Sequence, residues 1–295
     1  MNYSPLRYPG GKAKIAPLVE LLIQKAEIQN AVYVEPFAGG AGVALALLMN
    51  NAVDEVVIND YDKAIYSVWR AIKEDTQCLI DLIRSTPVTV EEWHKQKSIY
   101  NSQNNHYSLE LAFATFFLNR TNRSGILNAG PIGGYSQTGN YLIDARFNRE
   151  QLIERIQIIA KEKKRIHIYN KDIRSFLKSY IPVGNNIFIY LDPPYYNKGQ
   201  ALYKNFLGDQ DHEEISNIVK QLPCYWIVTY DEEKKIRDLY QGYPCKTFNL
   251  SYSAAKKMVA SEIMILSDEF ICPTKEELKN SKIKISLQEN GGVCI

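Results

Sequence analysis

The stretch Val32 to Leu45, VYVEPFAGGAGVAL, runs from an apolar, β-branched segment through a cluster of glycines into small apolar residues. Glycines permit a tight turn and let a ligand approach the backbone closely. A strand that turns into a helix in this way is typical of parallel α/β folds, which bind ligands at the carboxyl ends of their strands. The stretch therefore predicts an α/β fold with a ligand site at this turn.

The next predicted strand, EVVIND, ends in a carboxylate, Asp60, which lies 21 residues beyond Gly39. At this spacing α/β nucleotide binders hold the ribose hydroxyls. The turn matches neither GxxxxGK[ST] nor GxGxxG, and the charge of Glu35 before it is unfavourable beside a pyrophosphate. These features favour a cationic or phosphate-free nucleoside ligand, which S-adenosylmethionine fits. Simple packing of strand against helix by the glycines is the alternative.

Short β-branched and aromatic runs alternate with helical patterns along much of the chain, which indicates parallel βαβ units with helices on both faces. We predict strands at 31–37, 55–60, 165–170, 186–192 and 225–231, and helices at 14–30, 41–50 and 62–74. Between about 70 and 160 the pattern changes to helices at 75–85, 89–103 and 108–119, followed by a glycine-studded stretch at 123–144. A structureless loop of that length is improbable in a compact fold, so this stretch is interpreted as a hairpin.

The change of pattern predicts a discontinuous domain organisation. We expect one domain from residues 1–70 and 160–270, a small, mainly helical subdomain inserted at 71–159, and a C-terminal tail at 271–295. The last fifteen or so residues carry little core pattern and are expected to fray.

Composition restricts the class of protein. The 295 residues carry a net charge of only +2, but Asn119 to Arg174 holds eleven Lys and Arg against five Asp and Glu. A local excess of this kind suits a polyanionic partner, although a solvated helix face around the KEKKR run (161–165) explains it equally well. No apolar run is long enough to span a membrane, and the N-terminus lacks a secretory core. The five scattered cysteines predict reduced thiols in a cytoplasmic protein and make a structural zinc site, or any other metal site, an unlikely feature.

The segment IYLDPPYY, Ile189 to Tyr196, places a carboxylate, two prolines and two aromatic rings after an apolar strand. Prolines have fixed φ and no N–H, so their carbonyls remain as rigid acceptors. Asp192 and the carbonyl of Pro193 would match the two hydrogens of an exocyclic amine, and Tyr195 offers a face on which a planar ring could stack. A strand-ending turn with an aromatic packing anchor is the alternative.

Together these segments resemble the Dam-like, D12 class of DNA adenine-N6 methyltransferases. The matching stretches are RYPGGK (Arg7 to Lys12), EPFAGGAG (Glu35 to Gly42), IND (Ile58 to Asp60), FFLNRT (Phe116 to Thr121) and LDPPYY (Leu191 to Tyr196). They occur in the family's order and cover most of the chain. The resemblance implies a Rossmann-like, S-adenosylmethionine-dependent methyltransferase sheet, with the insertion as a target-recognition subdomain.

The resemblance also implies a reaction: site-specific methylation of N6 of a flipped-out adenine in double-stranded DNA, by an orphan enzyme or beside a separately acting companion restriction endonuclease. Implied catalytic residues are Asp192, Pro193, Pro194 and Tyr195. Implied cofactor contacts are Tyr8, Lys12, Glu35, Phe37, Gly39, Asp60, Asp172, Ile173 and Asp192. Candidates for DNA contacts in the basic insertion are Arg120, Arg123, Asn128 and Arg146.

Two departures from the family pattern bear on these expectations. Ala41 stands where many relatives have a glycine, and because an alanine favours negative φ, we expect a differently built turn there. Arg123 replaces an aromatic wedge and Asn128 a base-reading arginine of GATC-methylating relatives, which puts GATC specificity in doubt. Three alternatives stay open at this stage: the same chemistry on RNA or on a protein amine, a catalytically silent DNA-binding protein, and an NAD-dependent oxidoreductase.

Overall fold

The structure, a computed structural model, describes most of the chain, and the residues that it describes are 3–8, 12–102, 106–182, 184–196, 207–253 and 257–288. Pro9 to Gly11 of the RYPGGK segment and the last seven residues lie outside this part. The chain divides into two units. The first comprises Met1–Gly11 and Asp62–Asn170, and the second comprises Lys12–Tyr61 and Lys171–Ile295. The second segment of the first unit thus begins nine residues before the predicted insertion at 71–159 and ends eleven residues after it.

Seven strands lie within the described residues. They are β1 (Val32–Glu35), β2 (Glu55–Asn59), β3 (Ile166–Tyr169), β4 (Ile187–Leu191), β5 (Tyr225–Asp231), β6 (Cys245–Ser253) and β7 (Lys257–Leu266). The first five agree with the sequence predictions to within two residues at each end, because each is a short β-branched or aromatic run. β6 and β7 were not predicted.

The same part of the chain holds eleven α-helices. They are α1 (Ala16–Lys25), α2 (Gly42–Met49), α3 (Lys63–Glu74), α4 (Thr76–Ser85), α5 (Val90–Asn101), α6 (Leu109–Thr121), α7 (Arg149–Lys161), α8 (Ile173–Ser179), α9 (Asp209–Val219), α10 (Lys234–Leu239) and α11 (Lys275–Asn280). Side-chain caps at Asp62, Thr89 and Ser108 define the starts of α3, α5 and α6. The predicted helix at 14–30 is shorter in the structure, because the chain takes positive φ at Glu27 and Asn30.

Six of the strands belong to the second unit and lie in the order β2-β1-β4-β5-β7-β6. β1 pairs in parallel with both β2 and β4, and β4 pairs in parallel with β5. β7 is antiparallel to both of its neighbours. From β1 the chain first continues to β2 on one side and later returns to β4 on the other. Ligands of such sheets bind at this switch point, outside the carboxyl ends of the strands.

The core of the second unit is centred on β4. All five of its side chains, Ile187 to Leu191, are buried. Parallel strands that are covered on both faces have continuous apolar sequences, which is why this strand could be predicted. The buried strand fixes the position of the residue that follows it, Asp192. The sheet confirms the predicted α/β class.

The first unit contains β3 and the helices α3 to α7. The predicted hairpin at 123–144 is wrong. This segment has a 3-10 turn at Arg123–Gly125 and one isolated antiparallel bridge between Asn122 and Pro131, and its described residues form no two-stranded ladder. Positive φ at Gly125, Gly133 and Gly134 turns the chain repeatedly instead.

The FFLNRT segment of α6 binds the N-terminal segment within the first unit. The Asn119 side chain accepts a hydrogen bond from Arg7 N at 2.7 Å and donates to Arg7 O at 2.7 Å and Gly125 O at 3.0 Å. The Arg7 guanidinium donates to Asn122 O at 3.0 Å. Gly125 has φ of +76°, and a Cβ there would lie 2.5 Å from Arg7 O. Two motifs that are far apart in sequence thus meet at a glycine that has no room for a side chain.

The predicted tail at 271–295 is not structureless. α11 begins with a capping box formed by Thr274 and Glu277. Leu278 and Leu287 are buried, and Gln288 exchanges backbone hydrogen bonds with Thr247 of β6 at 2.8 and 3.0 Å. The expectation of fraying is therefore wrong up to residue 288. None of the helices in the described ranges has the length and apolar character needed to cross a membrane.

Candidate active site

Four carboxylates follow or end strands at one edge of the second unit's sheet. Glu35 ends β1, Asp60 follows β2, Asp192 follows β4 and Asp231 ends β5. These strands are parallel, so all four residues lie at the carboxyl edge, where the ligands of such folds bind. β7 runs in the opposite direction and is paired so that Glu262 lies opposite Asp231. A fifth carboxylate therefore reaches the same edge from an antiparallel strand.

Asp192 is oriented by two donors on one of its oxygens. Oδ1 accepts a hydrogen bond from Lys12 Nζ at 2.8 Å and another from Thr229 Oγ1 at 2.8 Å. Within the part of the chain that the structure describes, no hydrogen bond reaches Oδ2. The side chain is 24% exposed, in contrast to the buried strand before it. One oxygen is thus fixed by the protein and the other remains available as an acceptor.

Lys12 is buried between two carboxylates. Its Nζ lies 2.8 Å from Asp192 Oδ1 and 2.8 Å from Glu262 Oε2, and its side chain is 3% exposed. Burial lowers the pKa of Lys12, but the negative charges of Asp192 and Glu262 raise it by more, so the pKa lies well above its ordinary value. Lys12 therefore remains an ammonium group and cannot act as a base.

The Asp192–Tyr196 segment is held at both ends. At its start Asp192 is bound as described, and at its end Tyr196 N donates to Asp231 Oδ1 at 3.0 Å. Pro193 is buried, and neither proline has an N–H to donate. The Tyr195 hydroxyl donates to Glu262 Oε1 at 3.1 Å, and Lys12 Nζ lies 5.5 Å from the Tyr195 ring centroid. The segment is a rigid strand end with acceptors but few donors.

The glycine turn and Asp60 are joined directly, because Gly39 N donates to Asp60 Oδ2 at 2.9 Å. Gly39 has φ of 46°. Ala41, which precedes α2, has φ of 45° and ψ of 36°. The expectation that Ala41 would avoid positive φ is therefore wrong: the turn keeps its left-handed form and the alanine adopts it at a steric cost.

Glu35 is buried and bonds to the start of α2. Its Oε2 accepts a hydrogen bond from Ala44 N at 3.0 Å. Burial raises the pKa of Glu35 to about 8, the Ala44 N–H opposes this rise, and the charge of Asp192 adds to it. Glu35 thus connects the end of β1 to the first turn of α2.

The other predicted cofactor contacts are distributed over both units. Asp172 caps α8 by accepting from Arg174 N at 2.9 Å, and it also pairs with the Arg174 guanidinium at 3.1 Å. Ile173 is buried beside it, whereas Phe37 next to the glycine turn is half-buried. Tyr8 is half-buried in the first unit. Their roles toward a cofactor stay predictions.

The predicted DNA contacts all lie in the first unit but differ in exposure. Arg123, Asn128 and Arg146 are exposed. Arg120 instead donates from Nε to Arg146 O at 2.8 Å, with a second, short bond from Nη2 to the same oxygen, so it ties the loop to α6. The exposed Arg146 guanidinium lies 5.7 Å from the ring centroid of Tyr141, which is 65% exposed.

Sequence reasoning missed Thr229 and Glu262 at the candidate site. Thr229 lies within the aromatic strand YWIVTYD and Glu262 within the apolar strand KMVASEIMIL. A carboxylate beside four apolar residues is the signal that could have identified Glu262, because such a group is buried only with a partner. The partner, Lys12, is 250 positions away, so the pair was not visible in the sequence.

The chain belongs to the D12 class N6 adenine-specific DNA methyltransferase family, whose model matches residues 8–259. The resemblance read from the motifs is therefore confirmed, and the chain is a DNA adenine-N6 methyltransferase with a Rossmann-like fold.

Individual relatives are distant. The chain is 25% identical over 272 residues to the type II methyltransferase M.MjaIII of Methanocaldococcus jannaschii, covering 86% of this chain and 91% of that protein. It is 25% identical over 226 residues to the type II methyltransferase M.CviBI of Paramecium bursaria Chlorella virus NC1A, covering 72% and 78%. Among solved structures it is similar to the rRNA methyltransferase aviRa of Streptomyces viridochromogenes, with 12% identity, a TM-score of 0.37 and coverage of 90% and 88%.

Proposed function

We propose that the protein transfers a methyl group from S-adenosylmethionine to N6 of an adenine flipped out of double-stranded DNA at a specific site. The observation that carries this proposal is the arrangement of Asp192: Oδ1 is anchored by Lys12 and Thr229, and no hydrogen bond from the described residues reaches Oδ2. Oδ2 and the carbonyl of Pro193 would accept the two amine hydrogens. Two acceptors on a rigid strand end select an exocyclic amine over a hydroxyl or a thiol.

The carboxylate of Asp192 stabilises the methyl-transfer step in addition to orienting the amine. As the amine nitrogen attacks, its lone pair forms the new bond to the methyl carbon, the methyl–sulfur bond breaks with its electron pair left on sulfur, and the nitrogen becomes positive. The negative charge of Asp192 stabilises this developing charge, because a fixed group aimed at it needs no reorganisation. A proton then leaves the nitrogen for water, and no covalent bond to the protein is required.

The residues on the cofactor side suit a cationic nucleoside. S-adenosylmethionine, when bound, supplies a methyl group on a positively charged sulfur. Lys12, Asp192 and Glu262 together carry one excess negative charge, which attracts a cation and opposes a phosphate. Asp60, whose carboxylate is fixed by Gly39 N, would bind the ribose hydroxyls.

The first unit is the proposed DNA reader. It carries 16 Lys and Arg against 11 Asp and Glu, and its loop exposes Arg123, Asn128, Arg146 and Tyr141. Cationic side chains neutralise phosphates, and an exposed ring can stack on a base. Flipping an adenine costs a few kcal/mol, which such contacts would offset.

The wider role follows from the relatives. Both of the relatives named above are type II methyltransferases, which supports a role in restriction-modification, with the companion endonuclease acting as a separate protein. Such an enzyme works on chromosomal DNA and so in the cytoplasm.

Replacement of Asp192 by Asn tests the proposal. Purified wild type and Asp192→Asn are incubated with tritiated S-adenosylmethionine and DNA, and N6-methyladenine is measured after nucleolytic digestion. Asn keeps the shape but loses the charge, so we expect the rate to fall by about 100-fold or more while the far-UV circular dichroism stays unchanged.

Asp238→Asn is the matched control, because Asp238 is an exposed residue of α10 and undergoes the same chemical change. It should methylate at the wild-type rate. An Asp192→Asn protein as fast as the control would contradict the role of Asp192. Incorporation of the label by the wild type into RNA but not DNA would contradict the choice of substrate.

A further inference from the structure

Glu262 is an acidic residue in an otherwise apolar part of β7. Its side chain is 1% exposed, and the four residues after it, Ile263 to Leu266, are completely buried. Placing an unpaired carboxylate in such surroundings costs several kcal/mol, so the group is retained only with partners. Two of its partners are residues of the candidate site.

Lys12 and Tyr195 both contact Glu262. Lys12 Nζ lies 2.8 Å from Oε2, and the Tyr195 hydroxyl donates to Oε1 at 3.1 Å. Lys12 in turn bonds to Asp192 Oδ1 at 2.8 Å. Glu262 thus holds the cation that orients Asp192 and the ring that follows the two prolines, and with its side chain 1% exposed it would act through these two residues.

Charge explains why a second carboxylate is present. Asp192 and Lys12 alone would sum to zero, and the ammonium group of Lys12 weakens the attraction of Asp192 for a sulfonium group or for a positive charge developing on nitrogen. Glu262 brings the sum to −1. The charge of Glu262 therefore offsets that of Lys12, which would otherwise cancel the charge of Asp192.

We propose that Glu262 is a positioning residue for methyl transfer, which fixes Lys12 and Tyr195 and keeps the surroundings of Asp192 net negative. This inference rests on the proposed function, since it concerns the same site. It differs from a purely structural role, because a structural ion pair would affect stability without affecting affinity for a cationic cofactor.

The test compares four proteins by calorimetric titration with S-adenosylmethionine and by single-turnover methylation of DNA. Glu262→Gln preserves size and removes one negative charge, so the cluster of Lys12, Asp192 and residue 262 becomes neutral. We expect its dissociation constant for S-adenosylmethionine to rise by about tenfold or more, and its methylation rate to fall by a similar factor. Affinity for the neutral product S-adenosylhomocysteine should fall much less.

A double variant separates charge from structure. Lys12→Met with Glu262→Gln removes both buried charges and leaves Asp192 as the excess negative group. We expect its affinity for S-adenosylmethionine to be higher than that of Glu262→Gln, because the charge of the cluster returns to −1, while the methylation rate stays low because Lys12 no longer orients Asp192. This variant also provides the test if Glu262→Gln alone does not fold. If the single and double variants bind S-adenosylmethionine equally weakly, the charge assignment is overturned.

Glu269→Gln is the control for the chemical change, since Glu269, which is 62% exposed, forms a Lys–Glu pair with Lys246 at 2.9 Å outside the candidate site. It should bind and methylate as the wild type does. If the wild type transfers no label to DNA, the proposed function fails. If the wild type is active and Glu262→Gln matches it in both measurements, only the role of Glu262 fails.

Discussion

Glu35 shows how a single buried carboxylate can matter to both stability and site geometry. It lies beneath the glycine turn, bonded to Ala44 N, and its pKa is raised to about 8 mainly by burial. Near neutral pH a large fraction of this group therefore carries a proton in the folded protein. The same carboxyl in the unfolded chain ionises near its ordinary value of 4.5.

This difference predicts a pH dependence of stability. The folded state keeps the proton of Glu35 between about 4.5 and about 8, whereas the unfolded state releases it, so stability falls as pH rises through that window. Glu35→Gln cannot titrate and keeps an acceptor for Ala44 N. We expect the free energy of unfolding of the variant, relative to that of the wild type, to rise by up to about 1.4 kcal/mol per pH unit in this window.

Urea unfolding of both proteins at several pH values between 5 and 8 would measure this gain. A difference in unfolding free energy that stays constant across the window would show that Glu35 titrates normally.

At the residue scale, the sequence revealed those site residues that stand in a recognisable string. Asp192 and Lys12 lie in LDPPYY and RYPGGK, and the structure brings them into contact. Glu262 and Thr229 lie in apolar strands, and only the pairing of distant strands places them at Asp192. Long-range pairing leaves no local pattern, which is the physical reason they were missed.

Strands and helices that have their own apolar sequence pattern were predicted well, and segments built from turns were not. β4 is a continuous apolar run and was predicted to within one residue at each end. The segment 123–144 was interpreted as a hairpin because of its glycines. In the structure those glycines, including Gly125, serve left-handed turns and close backbone approach. A glycine cluster alone does not distinguish these uses.

The junction between Arg7, Asn119 and Gly125 gives a prediction for this element. Gly125→Ala would place a Cβ 2.5 Å from Arg7 O, in addition to the cost of positive φ. Gly134 also has positive φ, +75°, but nothing lies within 4 Å of a Cβ there, so Gly134→Ala carries the backbone cost alone.

We expect Gly134→Ala to cost about 1 kcal/mol and Gly125→Ala at least about 2 kcal/mol more, because backbone must move. Chemical unfolding of the two variants measures both values. Equal losses would mean that the N-terminal segment does not lie against Gly125.

Charge is distributed unevenly over the whole molecule. The first unit has a formal charge of +5, from 16 Lys and Arg against 11 Asp and Glu, and the second has −3, from 19 against 22. The small net charge of the chain conceals this division. A basic unit suits DNA phosphates, and an acidic unit suits a cationic cofactor.

Salt should therefore weaken binding of DNA steeply and affect the affinity for S-adenosylmethionine little. Fluorescence anisotropy with a labelled random-sequence duplex at several salt concentrations measures the slope of log K against log salt. If Arg123 contacts a phosphate, Arg123→Gln should lower the magnitude of this slope by about 1.

Arg84→Gln is the matched control, since Arg84 is an exposed arginine of α4 in the same unit. Its slope should equal that of the wild type. An unchanged slope for Arg123→Gln would exclude a phosphate contact at this position and leave base contact to be tested with defined sequences.

The contact between Lys12 and Glu262 has a consequence for how the enzyme is made. The two residues are separated by 250 positions, with Asp192 between them in sequence. On the ribosome, Asp192 emerges before the strand that carries Glu262, so the growing chain holds an incomplete charge set until β7 has been made. If Glu262 has the proposed role, a nascent chain would bind its methyl donor weakly until β7 has paired with β5.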